Sequence, residues 1–210
     1  PGMVSASCVD DAMLVFDATS SMASIIGEGS RTSRMTEARE ALRGSLPQLD
    51  DLRRIGLVVY GPGETRGCSH VSVHFPPIEN ASPRITADID ATRPEGNTAL
   101  TRAVAMAADV LQGESGRGDI VLLTDGEETC GGQPCATAQH LVATAPELTV
   151  HVVGFRLRET LSPYGPGTAT AREDAVLETR CLADLTGGHY VTTDTIDELM
   201  TALHHTLGCT

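Results

Sequence analysis

The sequence predicts an α/β fold: a single doubly wound domain with a mostly parallel six-stranded sheet and helices on both faces. Three observations support this prediction. Apolar runs alternate with amphipathic segments along almost the whole chain. Several apolar runs are nearly continuous Val, Ile and Leu, as is typical of parallel strands covered on both faces. The chain has 210 residues, of which 40% are hydrophobic, which is ample for a packed core.

Six segments are predicted to be strands: Ala12–Phe16, Ile55–Tyr60, Val71–Phe75, Ile120–Thr124, Leu148–Phe155 and His189–Thr192. The second and third are separated by the Gly-rich stretch GPGETRGCS, which predicts an antiparallel hairpin. Helical patterns separate the other strands, which predicts parallel pairing between them. We therefore expect the strand order 3-2-1-4-5-6, with one antiparallel edge strand.

Apolar residues that recur on one helical face predict the helices. These faces are Met35, Ala38, Leu42 and Leu46; Leu100, Val104, Ala107 and Leu111; Leu177, Cys181 and Leu185; and Ile196, Leu199, Met200, Leu203 and Leu207. Ala136–Ala145 is a weaker helix, and Arg156–Asp174 is predicted to be one long loop. We expect residues 8–209 to form the domain and residues 1–7 to be an N-terminal extension or a cloning remnant.

The charge of the chain excludes two kinds of partner. The formal net charge is −13, from 15 Lys and Arg against 28 Asp and Glu. Because such a surface repels nucleic acid and anionic lipid, we expect neither as a partner. No apolar run has the length of a membrane-spanning helix, so this part of the protein is not expected to insert into a membrane.

Six cysteines in an ordinary globular composition predict disulfides and an oxidising compartment. Cys8 precedes the first strand and Cys209 follows the last helix, which favours a bridge between them. Cys130 and Cys135 are close enough to pair within their own loop, although either can instead reach Cys68 or Cys181. A zinc site that uses Cys68 and His70 is a weaker interpretation, since no pair of cysteines has the usual zinc-ligand spacing.

Oxygen-bearing side chains gather at the predicted carboxyl ends of strands one and four. The stretch LVFDATSSMA places Asp17 at the end of the first strand, followed by Thr19 and Ser21; IVLLTDGEE places Asp125 at the end of the fourth. These strands flank the reversal of strand order, where ligands bind in doubly wound sheets. The stretch PEGNTAL brings Thr98 to the same edge. Two carboxylates and three hydroxyls are hard oxygen ligands, suited to Mg²⁺, Mn²⁺ or Ca²⁺.

These motifs resemble a known site. Asp17-Ala-Thr19-Ser-Ser21, GNTAL and LLTDGEE resemble the metal-ion-dependent adhesion site of the von Willebrand factor type A family, across nearly the whole chain. The first motif of that family is usually Asp-x-Ser-x-Ser, and Thr19 supplies the middle hydroxyl here. The resemblance implies a Rossmann-like domain in which Asp17, Thr19 and Ser21 hold the metal from the first loop. Thr98 would bind it directly or through water, and Asp125 through water.

The resemblance also implies a function. The expected protein is a non-enzymatic adhesion or scaffolding module with one divalent cation, Mg²⁺ in preference to Mn²⁺ or Ca²⁺. An Asp or Glu of another protein would complete the coordination of the cation. The stretch ETCGGQPC, which follows Asp125, resembles that of bacterial cell-envelope members, which implies an extracytoplasmic location: secreted, periplasmic or on the cell surface.

Two alternatives remain at this point. The chain can be a structural subunit of a larger assembly with a non-essential metal site. It can also be a metal-dependent hydrolase in which Asp17 is the nucleophile or a metal ligand. The hydrolase is less favoured, because the sequence has neither a Gly-x-Ser-x-Gly elbow nor a phosphate-binding P-loop.

Overall fold

The six predicted strands form one sheet in the computed structural model. The structure describes residues 10–26, 31–63, 67–157 and 169–208. In the last range, side chains are described from residue 178 onward. The strands are β1 (Asp11–Asp17), β2 (Ile55–Tyr60), β3 (Val71–Ile78), β4 (Gly118–Thr124), β5 (Leu148–Phe155) and β6 (Tyr190–Thr193). Their order is β3-β2-β1-β4-β5-β6. β3 pairs antiparallel with β2, and the other pairings are parallel. The predicted fold class is confirmed.

Helices cover both faces of the sheet. The α-helices are α1 (Arg34–Ser45), α2 (Ser82–Ala91), α3 (Leu100–Glu114), α4 (Pro134–Thr144), α5 (Ala169–Thr186) and α6 (Ile196–Leu207), and Ser20–Ala23 and Leu46–Gln48 form short 3₁₀ turns. Within the described ranges, each helix is either too short or too polar to cross a lipid bilayer.

The alternation of side chains along the central strand β1 divides the core into two layers. Leu14 and Phe16 point to the face that α1, α2 and α6 cover, where Leu42 and Leu203 are also buried. Met13 and Val15 point to the opposite face, which packs against α3, α4 and α5. All of β1 is buried. A strand covered on both faces needs apolar residues at successive positions, which explains the continuous run in the sequence.

The helix α2 was not predicted; the sequence pattern predicted one helix between strands three and four, and the structure has two. Only a narrow apolar face anchors α2, with Ile85 and Ile89 buried. Its first residue is fixed by Asp50, whose carboxylate accepts hydrogen bonds from the backbone N–H and the hydroxyl of Ser82. Two isoleucines in ten residues give a weak periodic signal, so the sequence pattern does not predict this helix.

The predicted loop Arg156–Asp174 is wrong at its C-terminal end, because α5 already begins at Ala169. Its first turns are rich in Ala, Arg and Glu, which favour helix without an apolar period. Residues 158–168 lie outside the described residues. The predicted apolar face of this helix is also misplaced: Leu185 is 45% exposed, whereas Leu182 and Ala183 are buried.

The disulfides differ from the favoured pairing in one respect. Cys130 is bonded to Cys68, and Cys135 is bonded to Cys181, so the predicted Cys130–Cys135 bridge is wrong. Their partners lie far away in sequence, on loops and helices that the fold brings together. The zinc interpretation of Cys68 and His70 is wrong for the same reason, since a sulfur in a disulfide is not a thiolate ligand.

The remaining cysteine prediction concerns the chain ends. Cys8 and Cys209, and with them the predicted bridge and residues 1–7, lie outside the described residues. Of the two described bridges, Cys135–Cys181 joins the first turn of α4 to α5, so it holds together two helices on one face of the sheet.

Replacing Cys135 and Cys181 together by serine should lower the free energy of unfolding by about 2–4 kcal/mol, because the bridge restricts the unfolded chain. It joins residues 46 positions apart. Urea unfolding curves of the parent and the double variant measure the difference. The single variant Cys135→Ser should lose the same amount, since either substitution removes the bridge. An unchanged unfolding midpoint in both variants would contradict the prediction.

Candidate functional site

Four loops meet at the carboxyl edge of the sheet, beyond β1, β2 and β4 and before α3. The loop after β1 is held on one side by β2, through a hydrogen bond from the Ala18 N–H to the Tyr60 carbonyl (2.9 Å). On the other side it is held by the loop before α3, where the Glu95 N–H donates to the Ala18 carbonyl (2.9 Å). The Ser20 N–H and hydroxyl both donate to the Gly96 carbonyl. The backbone is therefore fixed where the predicted site residues lie.

Asp17 ends β1 and is fully buried. One carboxylate oxygen, Oδ1, accepts from the Thr19 N–H (2.9 Å) and the Thr19 hydroxyl (2.6 Å). The other, Oδ2, accepts from the hydroxyls of Tyr60 and Thr124, both at 2.7 Å. Burial, and then the charge of Asp17, raise the pKa of the Tyr60 phenol well above its ordinary value, so the phenol keeps its proton and remains a donor.

A chain of short contacts runs from Asp17 to Asp125 through two hydroxyl groups. The Thr19 hydroxyl donates to Asp17 Oδ1 at 2.6 Å, and the Ser21 hydroxyl donates to Asp125 Oδ1 at 2.6 Å. The two hydroxyl oxygens are 2.9 Å apart. The structure thus brings Asp17, Thr19, Ser21 and Asp125 into one cluster, which we call the oxygen cluster.

The oxygen cluster has three close oxygen–oxygen contacts but only two hydroxyl protons, those of Thr19 and Ser21. Each hydroxyl carries one proton, and an ionised carboxylate carries none. When Thr19 and Ser21 both donate to their carboxylates, no proton is left for the contact between the two hydroxyl oxygens, and lone pairs face each other at 2.9 Å. Either a proton on a carboxyl group or a cation drawn to both hydroxyl oxygens relieves this repulsion.

Asp125 is buried and has a second strong partner. The Arg34 guanidinium, at the first position of α1, donates to Asp125 Oδ2 at 2.8 Å, and the Arg34 side chain is only 5% exposed. Burial, and then the nearby charge of Asp17, raise the pKa of Asp125 to about 6, against the opposing hydrogen bonds from Ser21 and Arg34. The buried negative charge is therefore only partly compensated, and a cation in the cluster would stabilise it.

Thr98 is buried in the loop before α3, which is bonded to the loop after β1 through Glu95 and Gly96. Its backbone pairs with Thr129, which follows β4: the Thr98 N–H donates to the Thr129 hydroxyl (2.8 Å), and the Thr129 N–H donates to the Thr98 carbonyl (2.9 Å). The Glu128 carboxylate accepts from the N–H groups of Thr101 and Cys130. These bonds fix the loop before α3 against the loop after β4.

The Cys68–Cys130 bridge, 5.4 Å between Cα atoms, ties the β2–β3 loop to the loop that follows Asp125. The Asn97 amide, one residue before Thr98, lies 4.0 Å from the Cys68 sulfur. The bridge therefore connects the loops after β2 and β4 and lies next to the loop before α3.

Three residues of the site were missed by the sequence analysis: Arg34, Tyr60 and Thr124. Thr124 directly precedes Asp125, and Tyr60 ends β2 as Asp17 ends β1, so strand ends were a usable signal for both. Arg34 gave no local signal, since its partner Asp125 is 91 positions away.

The donors of the oxygen cluster fit a hard divalent cation. In the part of the chain that the structure describes, no three side chains of His, Cys, Asp or Glu are grouped to hold a metal ion. The oxygen cluster is of another kind, with two carboxylates and two hydroxyl groups. Such oxygen donors suit Mg²⁺ or Ca²⁺ rather than zinc or copper.

A family model agrees with this arrangement of strands and loops. The model described as "von Willebrand factor type A domain" matches residues 12–128, more than half of the chain. Two proteins of Bacillus subtilis (strain 168) are similar in sequence: the uncharacterized protein YwmC, 26% identical over 155 residues, and the uncharacterized protein YwmD, 29% identical over 108 residues. The matches cover 70% and 50% of this chain. They cover 66% and 42% of those proteins, so the chain spans less than two thirds of either.

Solved structures share the fold at low sequence identity. A Bacteroides fragilis aerotolerance-related membrane protein superposes with a TM-score of 0.65 at 18% identity, covering 94% of this chain and 98% of that one. The pilus adhesin SpaC of Lactobacillus rhamnosus GG superposes with a TM-score of 0.69 at 17% identity. The match covers 94% of this chain and 29% of SpaC. The vWF domain of the pilus tip protein Mfa5 of Porphyromonas gingivalis superposes with a TM-score of 0.63 at 14% identity. The match covers 94% of this chain and 93% of that domain.

Gly96→Ala should destabilise the protein and disturb the loop that carries Thr98. Gly96 has φ +80°, and an added Cβ would lie 2.0 Å from the Gly61 carbonyl oxygen. The left-handed backbone alone costs about 1 kcal/mol in a residue with a Cβ, and the contact adds to this. Thermal or urea unfolding measures the loss.

Gly113→Ala is the matched control. Gly113 lies in α3, and nothing is within 4 Å of the added Cβ. Alanine there should stabilise the protein by up to about 1 kcal/mol through helix propensity. Equal effects of the two substitutions would show that the close approach of the loops at Gly96 is not a constraint.

Proposed function

This chain belongs to the von Willebrand factor type A domain family, and we propose that it is an adhesion or scaffolding module whose bound divalent cation is completed by an Asp or Glu of another protein. The relation in fold to a pilus adhesin and a pilus tip protein supports a role in binding proteins. We propose no enzymatic activity for it. The acidic surface, with a net charge of −13, disfavours nucleic acid as the partner.

The contact between the hydroxyl oxygens of Thr19 and Ser21 carries this proposal. With both side chains donating to carboxylates, their lone pairs face each other at 2.9 Å. A cation would convert that repulsion into attraction, because oxygen lone pairs are the ligands that Mg²⁺ takes in proteins. Mg²⁺ is the cation we favour, with Mn²⁺ and Ca²⁺ as alternatives.

The proposed ligands are Asp17, Thr19, Ser21, Thr98 and Asp125. Thr98 is included because its loop is hydrogen-bonded to the two loops that carry the oxygen cluster, the loop after β1 and the loop after β4. The bound cation would supply an electrophilic centre for a carboxylate of the partner. In this chain, Asp17 and Asp125 would provide negatively charged ligands, and the hydroxyl groups would provide neutral oxygen ligands.

We propose an extracytoplasmic location. The structure has the disulfides Cys68–Cys130 and Cys135–Cys181. Disulfides persist in oxidising compartments and are rare in the cytosol. The pilus proteins that share the fold are consistent with a place at the cell surface.

One observation favours the alternative of a structural subunit with a non-essential metal site. Asp17 has four hydrogen-bond donors, and Asp125 is paired with Arg34, all within the chain itself. The loops therefore have substantial support that does not depend on a cation. Measured metal affinity decides between the two functions.

Mg²⁺, Mn²⁺ or Ca²⁺ should raise the melting temperature of the parent relative to EDTA, and Ser21→Ala should largely lose this shift. A cation at a hundred times its dissociation constant stabilises the folded state by ~2.7 kcal/mol, which corresponds to roughly 5–11 °C for a domain of this size. Ser21→Ala removes one hydroxyl of the oxygen cluster and keeps both carboxylates. Thermal melts with each cation in turn measure the shift.

Ser20→Ala is the matched control, because the exposed Ser20 hydroxyl donates to the Gly96 carbonyl and is outside the oxygen cluster. It should retain the full shift. Asp17→Ala should remain folded and bind no cation. If the parent shows no shift, or Ser21→Ala shifts as much as the parent, the metal-dependent function is wrong and the structural subunit is favoured.

A further inference from the structure

The buried ion pair of Arg34 and Asp125 places a cationic side chain in contact with the oxygen cluster. One carboxylate oxygen of Asp125 accepts from Arg34 at 2.8 Å, while the other accepts from Ser21 at 2.6 Å. The exposed fractions of the two side chains are 5% and 0%. The guanidinium thus contacts the oxygen cluster at the Asp125 oxygen that does not bond to Ser21, and its charge would act on a bound metal.

We propose that Arg34 determines ligand specificity: it makes strong cation binding at the oxygen cluster depend on an anionic ligand from outside the chain. This inference rests on the proposed function and deepens it. It assigns a role to a residue of α1 that lies outside the three sequence motifs of the site.

The charge balance is the first part of the argument. With Asp17 and Asp125 ionised and Arg34 protonated, the buried groups have a net charge of −1. A divalent cation changes this to +1, and a carboxylate from a partner then brings it to zero. Without Arg34 the same groups would have −2 and would be neutral with the metal alone. With Arg34 present, the site is therefore neutral only when both the metal and the carboxylate of the partner are bound. A net charge in a buried site is unfavourable, so this complete assembly is favoured.

The position of Arg34 is the second part. Its backbone N–H donates to the Ser24 carbonyl at 3.1 Å, which ties the start of α1 to the loop that carries Thr19 and Ser21. The preceding residue, Ser33, caps the helix by accepting from the Thr36 N–H. Arginine keeps its charge at any physiological pH. The charge is therefore permanent and is held beside the oxygen cluster.

The nature of the external ligand follows from this balance. A carboxylate removes the excess positive charge, whereas an amide such as Asn or Gln, which has similar shape, does not. The site should therefore prefer acidic to amide side chains by more than metal coordination alone requires. Coulomb energy between charges a few ångströms apart at a protein surface is sufficient for roughly a tenfold difference in affinity.

Titration calorimetry with Mn²⁺, in the presence of acetate or of the neutral analogue acetamide at equal ionic strength, tests the inference. Acetate should raise the Mn²⁺ affinity of the parent roughly tenfold over acetamide. In Arg34→Gln the affinity in acetamide should rise by a similar factor, and the preference for acetate should disappear. Arg34→Lys, which keeps the charge, should retain the preference.

Arg43→Gln is the matched control. Arg43 lies on the same helix, is half exposed and pairs with Asp90, so this variant changes the net charge of the protein equally at a distance from the oxygen cluster. It should bind Mn²⁺ as the parent does. An increase in affinity in Arg43→Gln as large as in Arg34→Gln would assign the effect to overall charge and overturn the inference.

The remaining outcomes separate the inference from the function on which it rests. If the parent binds no Mn²⁺, the proposed function fails and the inference with it. If the parent binds Mn²⁺ equally well in acetate and acetamide, the inference alone fails, whether or not the variants fold. If Arg34→Gln binds more weakly and still prefers acetate, Arg34 only holds Asp125 in place. Circular dichroism of each variant checks the fold.

Discussion

The arrangement of the site depends on one buried charge, the carboxylate of Asp17. Removing a carboxylate from water is costly unless hydrogen bonds replace those of the solvent. Here the donors come from three elements: Thr19 in the loop after β1, Tyr60 at the end of β2, and Thr124 at the end of β4. The donors from Tyr60 and Thr124 are present only if the parallel pairings place Asp17 beside Tyr60 and β4 beside β1. A one-residue slip of β2 would leave the carboxylate short of a donor, so this charge and the strand register support each other.

The second half of the site is held by different means. Asp125 is joined to the Asp17 side by Ser21 and to α1 by Arg34. One turn further along α1, Glu37 accepts from Arg156, which follows β5 and has a positive φ of 52°. The start of α1 is thus bonded to the loops after both β4 and β5. The Cys68–Cys130 bridge joins the loops after β2 and β4, and the pairing of Thr98 with Thr129 joins the loop before α3 to the loop after β4. Covalent, ionic and backbone links together position oxygen atoms that would otherwise repel one another.

The sequence was sufficient to predict the sheet and its strand order, because each strand is an apolar run that packing on two faces requires. It was also sufficient to predict that Asp17, Thr19, Ser21 and Asp125 lie close together, because parallel strands bring their carboxyl ends to a common edge. It was insufficient for α2, where two buried isoleucines in ten residues give little periodicity. The disulfides and the Arg34–Asp125 pair join residues that are 46 to 91 positions apart in the sequence. A local sequence pattern does not indicate which of such distant residues lie close together.

The hydrogen bond from Tyr60 to Asp17 has an optical consequence. The chain contains no tryptophan and only three tyrosines, so its near-ultraviolet absorption and emission come from very few rings. One of these is buried between β2 and α3, with its hydroxyl on the carboxylate at the centre of the site. Any change of charge at that carboxylate acts directly on the chromophore. The protein therefore contains a native spectroscopic reporter of its own site, with no label to attach and no indole signal to obscure it.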